Sequence, residues 1–383
     1  MYPNEPILTV VAPLIDAQIV ETAILAEVNH QSLVATKTAR IVKAAEGKAV
    51  SDFGARRAHN MDAAVYGARA SYIGGAAGTA TVLAGQMFGI PVSGTMAHSW
   101  VMYYKDEYEA FRHYAENYPD NTVLLVDTYD TIKSGIPNAI RVAREVLEPM
   151  GKRLKGIRID SGDLAYQSIK VRKMLDDAGL TDCKIIVSNS LDEHTISSLN
   201  MQKARIDGYG VGERLITGAS SDYSEDSISL LGAVYKIAAV EENGGFAPRI
   251  KVSGSVEKIT NPGLKKVYRV YDQNGKAKAD LIAKADETID MSQEFRFVDP
   301  DMPWRNLKFT HCTVRPLQEK IFENGKLVYK LPTLNEIRAY VRKQLDEEIW
   351  EEEQRFVNPH KHYMDMTPDY YDMKMSLLND SRA

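Results

Sequence analysis

The chain contains only two cysteines, Cys183 and Cys312, among 383 residues. Two cysteines are too few for a disulfide framework or a four-cysteine zinc site, and they indicate free thiols in a reducing, cytoplasmic compartment. The N-terminal residues lack the basic and apolar regions of a secretory signal. Basic residues are not in excess, because 47 Lys and Arg against 52 Asp and Glu give a net charge of −5. This balance gives no reason to expect nucleic acid or an anionic membrane as a partner, although a small anionic substrate needs only local positive charge.

One long stretch of the chain lacks charged side chains. Residues 70–104 contain no Asp, Glu, Lys or Arg, and a stretch of that length would be enough to cross a bilayer. It is interrupted, however, by six glycines, by Pro91 and by polar residues such as Gln86 and His98. We therefore predict buried strands and glycine turns of a soluble protein rather than a membrane helix.

Short apolar runs, each followed by an amphipathic helix pattern, repeat through the middle of the chain. The spacing of these runs is typical of strand–helix units. Seven or eight such units predict an α/β barrel, with an open doubly wound sheet as the alternative because one sequence cannot show closure. The runs end near Phe53, Gly94, Val126, Ile159, Val187 and Tyr209, and an apolar run at 232–240 would complete the set.

Different patterns flank these units. A β-branched run at 7–11 predicts a strand, and 16–45 predicts a long helix with Asp16 as its N-cap. After residue 241, turns separate alternating strand patterns, which indicates a smaller antiparallel β domain of the open-faced sandwich type followed by C-terminal helices at 333–355 and 370–378. We therefore divide the chain into an N-terminal part, an irregular α/β barrel with the active site, and the antiparallel domain with its helices: 1–47, 48–241 and 242–383.

The candidate functional residues lie where the predicted strands end. In a barrel these ends meet in one mouth. Cations and glycine-rich backbone suit phosphates, carboxylates suit ribose hydroxyls or Mg²⁺ on a diphosphate, and an aromatic side chain suits a flat ring. The candidates are Phe53, Arg56, Arg57, Thr95, His98, Asp127, Asp130, Arg158, Asp160, Asp163, Ser188, Asn189, Gly210, Gly212, Glu213 and Lys236.

Each of these features also has an ordinary structural explanation. Residues 160–163 could form a simple turn with a helix cap, His98 could be a hydrogen-bonded structural residue, and Lys236 could be ion-paired. The glycines at 208–212 are similar to a dinucleotide fingerprint. No long helix pattern follows them, which argues against a dinucleotide-dependent oxidoreductase. The functional interpretation depends on the convergence of the whole set.

Nine motifs, in order along nearly the whole chain, resemble the nicotinate phosphoribosyltransferase family. That family is similar to quinolinate and nicotinamide phosphoribosyltransferases. The resemblance implies an irregular α/β barrel with a β-sandwich domain, and a homodimer with active sites shared between subunits. The motifs are SDFGARRAHNMDAA (51–64), GTMAHSW (94–100), VLLVDTYDT (123–131), IRIDSGDL (157–164), IVSNSLDE (186–193), YGVGERLIT (209–217), LGAVYKIAAV (231–240), EKITNPGLKKVYRVY (257–271) and NPHKHYMDM (358–366).

The resemblance implies a reaction and its cofactors. The 5-phosphoribosyl group of phosphoribosyl diphosphate would be transferred to nicotinate, giving nicotinate mononucleotide and diphosphate for NAD biosynthesis. The nicotinate nitrogen carries no proton, so the site needs no general base and works by positioning and charge stabilisation. ATP and Mg²⁺ are the implied cofactors, and ATP hydrolysis would be coupled to synthesis through phosphorylation of His98.

The resemblance also implies how nicotinate is recognised. Phe53 would stack on the pyridine ring, and Thr95 and Arg158 would hold the carboxylate, for which an arginine fork is well suited. Ala80 stands where the nicotinamide enzymes carry an aspartate that contacts the amide. Because an aspartate would repel a carboxylate substrate, alanine at this position predicts nicotinate as the substrate rather than nicotinamide.

The remaining roles implied by the resemblance concern phosphates, metal and catalysis. His98, Asp127 and Asp160 would be catalytic, and Asp127 and Asp163 are candidate Mg²⁺ ligands. Binding of phosphoribosyl diphosphate would involve Arg56, Arg57, Asp160, Ser188, Asn189, Gly210, Gly212 and Lys236.

Two departures from the family's pattern matter. Glu213 stands where many members have threonine, beside the predicted phosphate loop, so we assign it no binding role. Family members usually carry a further segment before the point matching Asn4, including a tyrosine that stacks on nicotinate in the neighbouring subunit. A second hypothesis therefore stays open, in which the chain is a catalytically idle remnant that binds ligands or oligomerises.

Overall fold

A computed structural model describes residues 2–219, 231–254, 259–292 and 294–380. The chain forms two compact units: the first unit is Ala26–Gly232, and the second unit is Met1–Leu25 with Ala233–Ala383. These divisions differ from the predicted boundaries at 47/48 and 241/242. The earlier division follows from helix α2 (Glu21–Ala44), whose buried side chains all lie at Val34 or later. In the part of the chain that is described, no helix combines the length and the apolar composition that a bilayer crossing would need.

A six-stranded parallel sheet forms the centre of the first unit. Its pairings are all parallel, which confirms the predicted α/β class. Within the described residues, β2 and β3 are its outer strands, so the pairing forms an arc rather than a closed barrel. The strands are β1 (Ala49–Asp52), β2 (Gly78–Thr79), β3 (Val123–Leu125), β4 (Gly156–Ile159), β5 (Lys184–Ser188) and β6 (Gly208–Val211), in spatial order β2-β1-β6-β5-β4-β3.

The pairing register of the parallel sheet places several predicted site residues at the same position along neighbouring strands. Gly210 in β6 pairs with Ser51 of β1 on one side and with Ser188 of β5 on the other. Asp52 pairs with Thr79, the last residue of β2. Because the strands are parallel, the residues that follow them, including Phe53, gather at the same edge of the sheet. Hydrophobic side chains of β3 to β6 are buried on the sheet and form much of the core of this unit.

Four helices of the first unit begin at side-chain caps that are visible in the sequence. Asn60, Asp106, Asp163 and Asp192 each accept a hydrogen bond from a backbone N–H in the first turn of the following helix, which satisfies a donor that the helix leaves free. π-helical turns at 131–135 and 143–147 extend one helix at both ends. After α2 the helices are α3 (Met61–Ile73), α4 (Val82–Phe88), α5 (His98–Tyr103), α6 (Glu107–Asn117), α7 (Ile136–Val142), α8 (Leu164–Asp177), α9 (Glu193–Met201) and α10 (Glu213–Thr217).

The second unit has a six-stranded sheet that is antiparallel except for one pair. The strands β10 and β16 run parallel, and the other pairings are antiparallel. Its helices are α1 (Leu14–Ile19), α11 (Leu334–Lys343) and α12 (Pro368–Asp380). The sheet has the order β12-β11-β16-β10-β9-β13, and two hairpins accompany it. The strands are β7 (Ala239–Glu242), β8 (Gly245–Pro248), β9 (Lys265–Tyr271), β10 (Ala277–Lys284), β11 (Phe295–Val298), β12 (Asn306–Phe309), β13 (Thr313–Pro316), β14 (Phe322–Glu323), β15 (Lys326–Leu327) and β16 (Met364–Met366).

Three local predictions are wrong. Residues 7–11 are not a strand, and Ile7, Leu8 and Val11 are exposed, because a β-branched run forms a strand only where a neighbour pairs with it. The run at 232–240 does not join the parallel sheet; its last two residues enter β7, which pairs antiparallel with β8. The helix predicted from Asp16 begins earlier, after Pro13, and is divided into α1 and α2.

Further differences concern shorter segments. The charge-free stretch 70–104 contains the short helices α4 and α5 besides strand β2, rather than mainly strands. The charged pattern at 333–355 is helical only in parts: α11 begins at a capping box of Thr333 and Glu336, and a π-helical turn and a 3₁₀ turn follow it. The helix patterns expected after the apolar runs that end at Ile159 and Val187 are confirmed as α8 and α9, and the helix predicted at 370–378 is confirmed as α12.

Candidate active site

A cavity of about 420 Å³ opens at the carboxyl edge of the parallel sheet. Its wall comes from the turns after β1, β2, β4, β5 and β6 and from the segment before α5. Most of the residues predicted from the strand ends lie there together. They are Phe53, Arg56, Arg57, Thr95, His98, Arg158, Asp160, Ser188, Asn189, Gly210, Gly212 and Glu213, and Ala80 joins them.

An aromatic ring and a partly buried guanidinium group lie side by side in this wall. The guanidinium carbon of Arg158 is 5.8 Å from the centre of the Phe53 ring. Burial lowers the pKa of Arg158, against the opposing effect of nearby Asp160 and Asp127. The buried Nε of Arg158 has no hydrogen-bond partner in the described structure. The guanidinium of Arg158 also lines the cavity, and a guanidinium there suits a ligand that brings a carboxylate.

The Phe53 ring has its position because position 210 is a glycine. An ideal Cβ on Gly210 would lie 2.4 Å from Cε2 of the ring. The backbone N–H of Phe53 donates to the carbonyl of Val211 at 2.8 Å, which continues the β1–β6 pairing by one residue. The strand and the ring therefore fit together only without a side chain at position 210.

His98 and Asp127 form a hydrogen-bonded pair. His98 is the first residue of α5, and its Nε2 lies 3.1 Å from Oδ1 of Asp127. The second carboxylate oxygen of Asp127 accepts from the backbone N–H of Asp160 at 2.9 Å and from the hydroxyl of Ser161 at 2.6 Å. The Asp127 side chain is 2% exposed and that of His98 is 38% exposed. A carboxylate held in this way orients the imidazole and stabilises positive charge on it.

The turn after β5 has an unusual backbone. Asn189 and Ser190 have φ values of 87° and 51°, and two successive left-handed residues without glycine are strained. Arg214 holds this turn, because its Nη1 donates to the Ser190 carbonyl at 3.1 Å and to Oδ2 of the buried Asp192 at 2.9 Å. A turn of left-handed residues presents backbone N–H groups in the way that anion-binding loops do.

Ser190 and Arg214 line the cavity but were missed by the sequence reasoning. The available signal was their position in the motifs IVSNSLDE and YGVGERLIT, directly beside residues that were chosen. Ser190 was not distinguished because its backbone conformation is set by tertiary contacts. Arg214 was not distinguished because its partner, Asp192, is 22 residues away in the chain.

Glu213 lies in the cavity wall and forms an ion pair with Arg57. Its Oε2 is 3.4 Å from Nε of Arg57, and both side chains are more than half exposed. An exposed pair of this kind is weak, but it places a positive charge beside the carboxylate. The glycines at 208–212 belong to β6 and to the turn before α10, a helix of five residues. This is not the long helix that a dinucleotide fingerprint requires.

Other predicted residues have different surroundings. Asp163 caps α8 by accepting from the N–H of Tyr166 at 3.0 Å, and it is not part of the cavity wall. Asp130 caps the π-helical turn at 131–135. Lys236 belongs to the second unit, where its Nζ lies 3.4 Å from Oε1 of Glu21; the phosphate-binding role assigned to it stays a prediction.

The described residues contain no cluster of three or more His, Cys, Asp or Glu side chains that could hold a metal ion. A metal ion carried by a diphosphate needs only one or two protein carboxylates. Asp160 fits that requirement, because it lines the cavity and its Oδ1 accepts from the hydroxyl of Ser188. Both oxygens of Asp127 are already engaged, one with His98 and the other with the 160–161 turn.

The chain matches known proteins over nearly its whole length. Residues 48–281 match the "Nicotinate phosphoribosyltransferase (NAPRTase) family", and residues 264–374 match the "Nicotinate phosphoribosyltransferase C-terminal domain". The chain is 47% identical over 386 residues to nicotinate phosphoribosyltransferase of Bacillus subtilis (strain 168), an alignment that covers 100% of this chain and 76% of that protein. It is 31% identical over 404 residues to the Homo sapiens nicotinate phosphoribosyltransferase, with 90% of this chain and 72% of that protein covered.

Solved structures agree with these matches. The fold is similar to the crystal structure of human nicotinic acid phosphoribosyltransferase, with a TM-score of 0.80 and 27% identity over 96% of this chain and 78% of that one. It is also similar to nicotinate-nucleotide pyrophosphorylase from Pyrococcus furiosus, with a TM-score of 0.59 and 28% identity over 86% of this chain and 73% of that one. From its sequence and its fold, this chain belongs to the nicotinate phosphoribosyltransferase family.

Proposed function

We propose that this protein transfers the 5-phosphoribosyl group from phosphoribosyl diphosphate to nicotinate, giving nicotinate mononucleotide and diphosphate. The observation that carries the proposal is the partly buried guanidinium of Arg158, which lines the cavity beside the Phe53 ring. A flat aromatic carboxylate supplies what both groups need, a face for the ring and a pair of acceptors for the guanidinium. The names of the relatives support the same activity.

The cavity wall supports selection of nicotinate over nicotinamide. Arg158 offers donors to a carboxylate, and Thr95 and Ala80 add no charge to the wall. The Thr95 hydroxyl, which donates to the carbonyl of Met96 at 3.3 Å, would have to turn to reach the substrate. A guanidinium favours an anion over a neutral amide, because only the anion compensates the buried positive charge. We expect kcat/KM to be at least about tenfold higher for nicotinate than for nicotinamide. Equal values for the two substrates would contradict this assignment.

The opposite side of the cavity suits the phosphoribosyl substrate. The strained turn at Asn189 and Ser190, the glycines of the β6 end and the side chain of Arg56 together offer backbone and cationic donors for phosphate oxygens. In the reaction, the ring nitrogen of nicotinate forms a bond to C1 of the ribose, and the bond from C1 to diphosphate breaks. Asp160 supplies negative charge near the developing oxocarbenium-like centre. No proton has to be removed from the nucleophile.

We also propose that Mg²⁺ and ATP take part. Bound to the diphosphate, Mg²⁺ would neutralise the charge of the leaving group, and Asp160 is the carboxylate whose position in the cavity wall fits it. For ATP, the candidate acceptor is His98. With Nε2 held by Asp127, the neutral imidazole keeps its Nδ1 lone pair for the γ-phosphoryl group, so an N–P bond forms as the bond to the ADP leaving group breaks.

A homodimer with shared active sites is the partner state that the family resemblance supports. The elements around the cavity expose large apolar side chains, among them Met61, Val82 and Tyr103, and such surfaces are typical of protein interfaces. Sedimentation equilibrium of the purified chain measures this directly. A monomer at micromolar concentration would contradict the expected dimer.

The first experiment is product formation by the purified 383-residue chain. The assay supplies nicotinate, phosphoribosyl diphosphate and Mg²⁺, with and without ATP, and compares the wild type with His98→Ala. We expect nicotinate mononucleotide to form, ATP to increase its yield, and His98→Ala to lose only the increase. A folded sample that binds phosphoribosyl diphosphate but forms no product would favour the ligand-binding remnant instead.

A further inference from the structure

Asp52 precedes the ring-stacking Phe53, but none of the roles above uses it. We propose that Asp52 is a positioning residue, which ties the Phe53 turn to the Ala80 loop and so sets the width of the slot that receives the substrate ring. The inference rests on the proposed function for its meaning, because the slot matters only if an aromatic carboxylate binds there. Its geometry is a property of the protein without substrate.

The carboxylate of Asp52 makes two hydrogen bonds to two different segments. Its Oδ1 accepts from the backbone N–H of Gly54 at 2.8 Å, and its Oδ2 accepts from the hydroxyl of Thr79 at 2.7 Å. Both Asp52 and Thr79 are fully buried. The first bond closes the turn that carries Phe53, and the second reaches the end of β2, directly before Ala80.

The hydroxyl of Thr79 extends this connection. It accepts from the backbone N–H of Thr81 at 2.9 Å while it donates to Asp52. The residue between them, Ala80, donates its own N–H to the carbonyl of Asp52 at 2.8 Å. Thr79, Ala80 and Thr81 are therefore all bonded, directly or through one hydroxyl, to a single residue of β1.

The backbone pairing between β1 and β2 is short, although Thr79 is also bonded to residues 91 and 93 on its other side. Strands β1 and β2 pair at only two positions, Ser51 with Gly78 and Asp52 with Thr79. Beyond that point Phe53 and Ala80 follow the two strands into the cavity wall. The bridge from Asp52 through Thr79 continues the connection past the last backbone pair, where the two walls of the slot separate.

Burial of the Asp52 carboxylate is unfavourable unless hydrogen bonds compensate it. Burial raises the pKa of Asp52, although the bonds from Thr79 and Gly54 act in the other direction. An apolar side chain would avoid this cost but would leave the N–H of Gly54 and the hydroxyl of Thr79 without an acceptor. The same turn is confined from its other side, since a Cβ on Gly54 would lie 2.5 Å from Cβ of Ile216. The position of Phe53 therefore depends on both contacts.

The test uses changes on each side of the bridge. Asp52→Asn keeps an oxygen for the N–H of Gly54 but places an NH₂ donor opposite Thr79, whose hydroxyl proton then has no acceptor. Thr79→Val removes the hydroxyl and leaves Asp52 in place. Thr79→Ser is the matched control, because it retains the hydroxyl. We expect KM for nicotinate to rise about tenfold in the first two variants, with kcat and the KM for phosphoribosyl diphosphate within about twofold of wild type. Thr79→Ser should behave as wild type in all three quantities.

A second measurement does not depend on catalysis. Amide hydrogen exchange of the substrate-free protein reports on the N–H groups of Gly54 and Thr81. Thr79→Val should speed exchange at Thr81, which loses its acceptor, and leave exchange in the second unit unchanged. The double variant Asp52→Asn/Thr79→Val should raise KM no more than the larger single change, because both remove one bridge.

The outcomes separate this inference from the proposed function. If the wild type forms no nicotinate mononucleotide but exchange at Thr81 rises as expected, the proposed function is wrong and the bridge is correct. Wild-type KM and wild-type exchange in both Asp52→Asn and Thr79→Val would overturn the inference. So would an equal rise of both KM values together with a lower free energy of unfolding, because that pattern indicates a general loss of structure rather than a change in the slot.

Discussion

Replacing Gly210 with alanine should displace the Phe53 ring. An ideal Cβ at this position would lie 2.4 Å from Cε2 and 2.5 Å from Cδ2 of the ring. Ordinary contact begins at 3.4 Å, so the ring would have to move by about 1 Å. The backbone cannot yield instead, because Gly210 is paired with β1 on one side and β5 on the other.

Two magnitudes follow from this displacement. Overpacking of a well-filled position costs roughly 1–3 kcal/mol of unfolding free energy. A misplacement of about 1 Å in a positioning group can cost on the order of 100-fold in rate. We therefore expect kcat/KM for nicotinate to fall by about 10- to 100-fold in Gly210→Ala, with a loss of stability that urea unfolding detects.

Two further variants make the interpretation specific. Gly245→Ala in the β7–β8 hairpin is the matched control, since a Cβ there meets nothing within 4 Å, and it should have wild-type stability and kinetics. Phe53→Ala removes the ring, so adding Gly210→Ala to Phe53→Ala should cost almost no further stability. If Gly210→Ala behaves like Gly245→Ala, the ring does not depend on the space at position 210 and the reasoning is refuted.

Three other predictions concern separate groups. Arg158→Met should raise KM for nicotinate by about 100-fold while that for phosphoribosyl diphosphate changes little, because the variant removes the carboxylate partner; initial rates at varied nicotinate measure it, and an unchanged KM would contradict it. Burial raises the pKa of the Cys183 thiol to about 12, so Cys183 should resist iodoacetamide at pH 8 and react fully in urea, as mass spectrometry of the labelled peptides shows; rapid labelling of the folded protein would disprove it. Burial and nearby Asp299 raise the pKa of Asp365 to about 7. The folded protein therefore holds a proton on Asp365 at pH values where the unfolded chain has already released it. The stabilisation that this proton gives is fully present below about pH 4 and is lost as the pH rises through 7. Asp365→Asn should flatten that decline in urea unfolding between pH 5 and 8, and an unchanged slope would show that another group is responsible.

Local signals in the sequence were sufficient for much of the architecture. The apolar runs that end at Ile159 and Val187, with the amphipathic patterns after them, predicted β4, α8, β5 and α9, because a buried strand and a helix are encoded within a few residues. The same reasoning failed at 7–11 and 232–240. A strand also needs a pairing partner, and no local pattern states whether one is present.

The cavity residues show the same division between features that local sequence predicts and features that tertiary contacts set. The strand-end side chains could be predicted without the structure, and with them the meeting of an aromatic ring, arginines, carboxylates and glycine turns at one edge of a parallel sheet. Their interactions with one another depend on the folded unit: Asp127 holds His98 from 29 residues away, Asp52 bridges to Thr79 across 27 residues, and Gly210 leaves room for Phe53. These relations depend on distances between remote segments that must be correct to within a few tenths of an ångström. Such distances are set by packing of the whole unit rather than by any local preference.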